Sequence, residues 1–198
     1  MKYITIFLIL LGAVFGAKAE SITDQIGKNP ITEEQARLEM ARLLNSDTRV
    51  QEAISQYRRL LAIDPTLYTA QIELAQILAA QNQLAEAKAL LQAVPADKLG
   101  TQGKLIIASI AETEGNFKIA QEIYEQILNE ESSNQAIRFR LAEVFAWQKN
   151  YTAAINEYRK LVKARPNDTQ LLRHFAQVLG WAKQYKEAIL VWEQAIPK

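Results

Sequence analysis

Alanine recurs along this chain at Ala53, Ala87, Ala120, Ala154 and Ala188, with separations of 34, 33, 34 and 34 residues. A fixed period of this size constrains the fold more than any single residue does, because it requires one structural unit repeated in tandem. Each alanine sits in a similar phrase: VQEAISQYRRL, LAEAKALLQAV, FKIAQEIYEQI, YTAAINEYRKL and YKEAILVWEQA. A second series, Ala41, Ala75, Ala108, Ala142 and Ala176, runs in step with the first. Apolar residues around both series recur at helical spacing, so each unit reads as two amphipathic helices joined by a short turn. Two small residues facing each other let helix axes approach. Large residues flank them: Tyr57, Leu91, Tyr124, Tyr158 and Trp192 on second helices, and Leu44, Leu78, Phe145 and Leu179 on first helices. Alternating sizes interdigitate. Helices this short are marginal alone, and stacking supplies what each lacks.

The pattern predicts helix boundaries. Thr32 followed by Gln35 fits an N-cap with its reciprocal partner. The first helix then runs to about Asn45, and a second carries Val50 to Leu61, with Pro65 just beyond it. Tyr68 to Ala80 pairs with Leu84 to Val94, and Thr101 to Thr113 with Phe117 to Asn129. Gln135 to Trp147 pairs with Tyr151 to Ala164, and Thr169 to Trp181 with Tyr185 to Ile196. The second phrase is one residue short, and Pro95 points to an altered junction near Pro95 to Gly100. The expected organisation is residues 1–19 as a signal peptide, 20–33 as a flexible leader, and 34–198 as the repeat array. Its units lie near 34–67, 68–100, 101–134, 135–168 and 169–198.

Met1-Lys2 is a short basic start, Ile4 to Val14 is an apolar run, and Ala17-Lys18-Ala19 supplies a small-x-small cleavage pattern. This reads as a secretory signal peptide cut after Ala19, with Glu20 as the mature N-terminus. The expected location is periplasmic or secreted, with no stable membrane insertion after cleavage. Removing Lys2 and Lys18 from the 23 basic residues leaves 21 against 22 acidic ones, so no net field favours nucleic acid or anionic lipid. Cysteine is absent and histidine occurs once, which leaves no thiol chemistry and little for a metal cluster or a Ser/His pair. His174 has no acid or serine at helical spacing and reads as a structural histidine. Glu33-Glu34 and Glu130-Glu131 sit at helix ends, and there is no glycine-rich phosphate loop. The expectation is a non-enzyme with no cofactor and no metal.

The period, the paired alanines, the aromatic residue four places after the second alanine and the terminal prolines together resemble the tetratricopeptide repeat (TPR) family, over about Glu34 to Lys198. The tryptophan often seen early in the family's first helix is replaced by Arg37, Gln71, Lys104, Arg138 and Leu172. The resemblance implies an all-α fold, a right-handed TPR superhelix (α-solenoid) of about five helix-turn-helix repeats. It also implies a concave groove lined by first helices that binds an extended peptide or a partner's helix. Mapped onto this sequence, that groove shows Arg42, Asn45, Ile72, Gln76, Leu105, Ser109, Glu112, Phe139, Glu143, Trp147, Arg173, Gln177 and Trp181. The Lys, Asn and Arg clamp with which some TPR domains hold a chaperone's C-terminal carboxylates is missing. Leu38, Arg42, Glu73, Gln102 and Ile106 stand at its places.

Trp147 and Trp181 occupy the same place in adjacent units, in FAWQKNY and LGWAKQY. They read either as aromatic platforms for a partner chain or glycan, or as packed indoles covering the tyrosine that follows. Ile189, Val191, Trp192 and Ile196 form a candidate apolar strip on the last unit, which points to self-association or docking. The phrase LAEVFAWQKNYTAAINEYRKLVKARPND is similar to repeats in periplasmic TPR segments of bacterial exopolysaccharide secretion proteins. The resulting expectation is a periplasmic protein–protein interaction scaffold. Its partner would be another envelope protein or a peptide. The alternative is a glycan-binding TPR protein that uses the groove aromatics.

Overall fold

The computed structural model describes residues 31–196. The expected signal peptide, and the leader up to Pro30, lie outside the described residues. The described residues carry ten helices: α1 (Glu33–Ser46), α2 (Val50–Ile63), α3 (Tyr68–Ala80), α4 (Leu84–Ala93), α5 (Ala96–Thr113), α6 (Phe117–Glu130), α7 (Gln135–Trp147), α8 (Tyr151–Ala164), α9 (Thr169–Trp181) and α10 (Tyr185–Gln194). The described residues divide into two compact units, which meet between Ile63 and Asp64.

In the first unit α1 and α2 pack as an antiparallel pair. Thr32 caps α1: its hydroxyl accepts from the Gln35 amide at 3.1 Å, and the Gln35 side chain accepts from the Thr32 amide at 3.2 Å. Two orphan donors are thereby satisfied reciprocally. Ala41 and Ala53 are fully buried, with Ile54, Tyr57 and Leu60 around them.

In the second unit each first helix packs on its own second helix, and each second helix on the next first helix. The alanine seam is real: Ala75, Ala87, Ala108, Ala120, Ala142 and Ala154 are 0% exposed. Their lack of side-chain bulk sets the close approach of the helices, and Leu78, Leu91, Tyr124, Phe145, Tyr158 and Leu179 fill the layers between. A continuous apolar core runs from Ala108 to Ala195.

The turn inside each pair is built the same way five times. Thr48, Asn82, Gly115, Lys149 and Lys183 all have φ between 59° and 76°. The amide that follows each one bonds back to a helix carbonyl: Arg49 to Leu44, Gln83 to Leu78, Asn116 to Ala111, Asn150 to Phe145 and Gln184 to Leu179, at 2.7–2.9 Å. This left-handed C-cap satisfies the last carbonyls of the helix. Only one of the five positions is glycine.

The short second phrase has a structural explanation. Pro95 opens a single helical turn, Ala96 to Leu99. Gly100, at φ 58° and ψ −176°, then breaks the helical path before Thr101. That conformation is open almost only to glycine. The last helix ends at Gln194 rather than at the expected Ile196.

Candidate functional site

The groove residues expected from the sequence separate into several environments. Arg42 and Asn45 belong to the first unit, where Arg42 is paired with Glu39. Gln76 on α3 accepts a bond of 3.0 Å from Gln102 on α5, and Ser109 is exposed. Two expectations need correction. Ile72 is 7% exposed and belongs to the core. Glu112 is not a free groove acid: its side chain is 8% exposed, it accepts a 2.9 Å bond from the Tyr124 hydroxyl, and it ion-pairs with Arg140.

Arg140, which the sequence reading overlooked, organises this junction. From α7 it reaches back to Glu112 on α5 and also contacts Glu143 on its own helix at 3.3 Å. Burial raises the carboxyl pKa of both Glu112 and Glu143, and the nearby charges only partly offset it. Burial likewise pushes the Tyr124 phenol up to about 12.

One repeat further along, a different set converges. Glu143, Ala146 and Trp147 from α7, Tyr158 from α8, and His174, Gln177, Val178 and Trp181 from α9 line one cleft of about 170 Å³. Four of the expected groove residues therefore meet here: Glu143, Trp147, Gln177 and Trp181. The packed-indole reading does not fit, since Trp147 and Trp181 are 41% and 47% exposed. Trp147 leans on Phe117 of the preceding repeat, with centroids 5.5 Å apart, so its ring partner lies upstream rather than in the tyrosine that follows. Phe139 is half-buried, edge-on to both Tyr158 (5.9 Å) and His174 (5.1 Å).

His174 is exposed and stands where three clefts meet. Besides the one just described, a second of about 390 Å³ is bounded by Phe139, Arg140, Arg165 and Asp168. A third of about 580 Å³ carries Arg173, Gln177 and Trp181 from α9, and Tyr185, Ile189 and Trp192 from α10. The apolar strip on α10 thus consists of Tyr185, Ile189 and Trp192, with Leu190 and Ile196 also exposed. Val191, which the sequence reading placed in it, is 7% exposed and packs inward. Among the described residues no group of His, Asp and Glu could hold a metal ion. No helix among them is long and apolar enough to cross a membrane.

The tetratricopeptide repeat sequence profile matches residues 44–110 and 111–178, more than half of the chain. The chain belongs to the tetratricopeptide repeat family. No curated protein matches it in sequence. Among solved structures it is similar to a TPR protein described as having an unusual peptide-binding site, YrrB. That match has a TM-score of 0.69 and 16% identity over 88% of this chain and 90% of the other. It is also similar to the MamA protein of Desulfovibrio magneticus RS-1, with a TM-score of 0.74 and 10% identity over 83% and 94%. Another MamA structure aligns with a TM-score of 0.72 and 14% identity over 82% and 89%. At these identities the likeness is one of fold. TPR domains bind peptides or partner proteins through surfaces of the helix stack, and here the exposed aromatic side chains gather on α7, α9 and α10.

Proposed function

We propose that this TPR protein is a non-catalytic interaction scaffold whose α7/α9 face holds an extended segment of a partner protein. The observation that carries this reading is the convergence of two half-exposed indoles, Trp147 and Trp181, on one cleft beside Glu143, His174 and Gln177. Large aromatics left half in water, next to polar groups able to fix a backbone, are the composition of an interface hot spot. The unusual peptide-binding site of YrrB is a precedent in the same fold. The export pattern of Met1 to Ala19 supports a place for the protein in the bacterial envelope. The similarity of Leu141 to Asp168 to repeats of exopolysaccharide secretion proteins suggests a polysaccharide-export assembly as its setting.

A photo-crosslinking residue at Gln177 in living cells, with Lys88 as the control position on a second helix, tests the reading. A discrete adduct with an envelope protein at position 177, lost in the Trp147→Ala/Trp181→Ala variant, is the expected result. Equal labelling from both positions would overturn it. Tryptophan fluorescence that responds to an envelope polysaccharide but to no captured protein would favour the glycan-binding alternative.

A further inference from the structure

Adjacent repeats place different residues at equivalent points, and the comparison names the chemistry of what the cleft accepts. At the α5/α7 junction the second-helix tyrosine is Tyr124. Beside it stands Glu112, and Arg140 from the next first helix fills the space between them. Moving on by 34 residues gives Tyr158, Ala146 and His174 at the α7/α9 junction. Alanine has replaced the carboxylate, and a shorter imidazole has replaced the long guanidinium arm. The volume taken up at the first junction by Glu112 and Arg140 is therefore open at the second, and it forms the cleft.

The walls of this opening suit a cation. At the α5/α7 junction the places of Trp147 and Trp181 are held by Thr113 and Trp147, so the α7/α9 cleft has two indoles where the filled junction has one, and it lacks the internal guanidinium. Indole faces attract cations electrostatically. The carboxylate lining the cleft is Glu143, whose side chain is 16% exposed. Its Oε2 accepts only the long 3.3 Å bond from Arg140, and among the described residues Oε1 accepts none. Arg140 itself is shared with Glu112, so Glu112, Arg140 and Glu143 together carry one net negative charge. Arg173 lies in the adjoining wider cleft, where it is exposed to water. Burial raises the pKa of Glu143, and Arg140 and His174 offset it only in part.

We propose that the α7/α9 cleft is a cation subsite. In it, an arginine or lysine side chain of the bound partner polypeptide lies against the Trp147 and Trp181 indoles and pairs with Glu143. The proposal rests on the peptide-binding reading above and adds the identity of the anchoring side chain. The molecule supplies its own template one repeat earlier, where Arg140 occupies the corresponding space.

The test begins with a random peptide library displayed on phage and selected on the intact protein. Selected peptides are expected to share one arginine or lysine and to lose binding on the Trp147→Ala/Trp181→Ala variant. Replacing that arginine by citrulline, or that lysine by norleucine, keeps size and removes charge. It should weaken binding by about 30-fold or more, the loss expected for one cation–π contact plus one charge-assisted hydrogen bond. Glu143→Gln should cause a similar loss for the charged peptide and little for the neutral one. The double variant Ala146→Glu/His174→Arg copies the filled arrangement of the preceding junction. It should unfold no earlier than the parent protein and should no longer bind the charged peptide. Peptides that depend on both tryptophans but show no shared cation, or whose neutral version binds within about twofold, would overturn this inference and leave the peptide-binding reading standing. A library that yields no retained peptide removes both.

Discussion

The sharpest test of the packing described here is Glu112→Ala. Its carboxylate is 8% exposed, takes a 2.9 Å bond from Tyr124 and ion-pairs with Arg140. Truncation leaves the Tyr124 hydroxyl, on a residue 2% exposed, without its acceptor, which costs about 1–1.5 kcal/mol. Arg140 is 41% exposed and can turn to water, so its loss adds only about 0–1 kcal/mol. Removing a desolvated carboxylate returns part of this, and the net expectation is about 1–2 kcal/mol of destabilisation in urea unfolding. Combined with Tyr124→Phe, the two changes should be non-additive by about 1 kcal/mol, because both delete the same bond. The pH dependence has a definite sign. Glu112 and Glu143 have raised pKa values in the fold, so the native state holds their protons more tightly than the unfolded chain. Their contribution to stability is therefore largest below the ordinary carboxylate range and declines as pH rises through the raised values. Glu112→Gln, which keeps an acceptor and removes the titration, should show a smaller decline. Additive single changes, or a decline as steep in Glu112→Gln as in the parent, would refute the account.

Other changes probe other levels. Ala142→Leu puts three extra carbons into a seam that is 0% exposed and should cost about 1–3 kcal/mol in the same urea assay. Thr48→Gly relieves a β-branched residue held at φ 61° and should raise stability by up to about 1 kcal/mol, read from the denaturation midpoint. Gly100→Ala should cost about 1–3 kcal/mol by thermal unfolding, since φ 58° with ψ −176° excludes a Cβ in practice. Trp147, Trp181 and Trp192 are all more than 40% exposed, so acrylamide should quench the native fluorescence nearly as well as that of the unfolded chain.

Much of the architecture was legible because it is periodic. The expected bounds of α3, α7, α8 and α9 match the observed ones at both ends, and the two alanine series fall in the seam, where absence of bulk is their role. The Ala96 to Leu99 turn escaped because four residues carry no period. Its start at Pro95 and its exit at Gly100 were visible only as irregularity. Four of the five left-handed turns carry Thr, Asn or Lys, so no glycine marks them. Their conformation follows from helix carbonyls seeking donors, not from the identity of the turn residue. At the site, first-helix positions could be mapped by counting, but burial could not. Ile72 turned inward, Glu112 became part of a buried network, and both indoles stayed half in water. The role of Arg140 depends on a partner 28 residues upstream on another repeat, a separation that single-helix spacing does not reveal.

In the second unit every helix finds its main partners among helices one or two places away in sequence. Chain closure over long distances is therefore never required, and the entropy lost at each step is that of a hairpin. Such a molecule can be assembled in the order in which it is delivered. A strand fed slowly through a narrow opening, N-terminus first, can lay down one pair on the last without waiting for its far end.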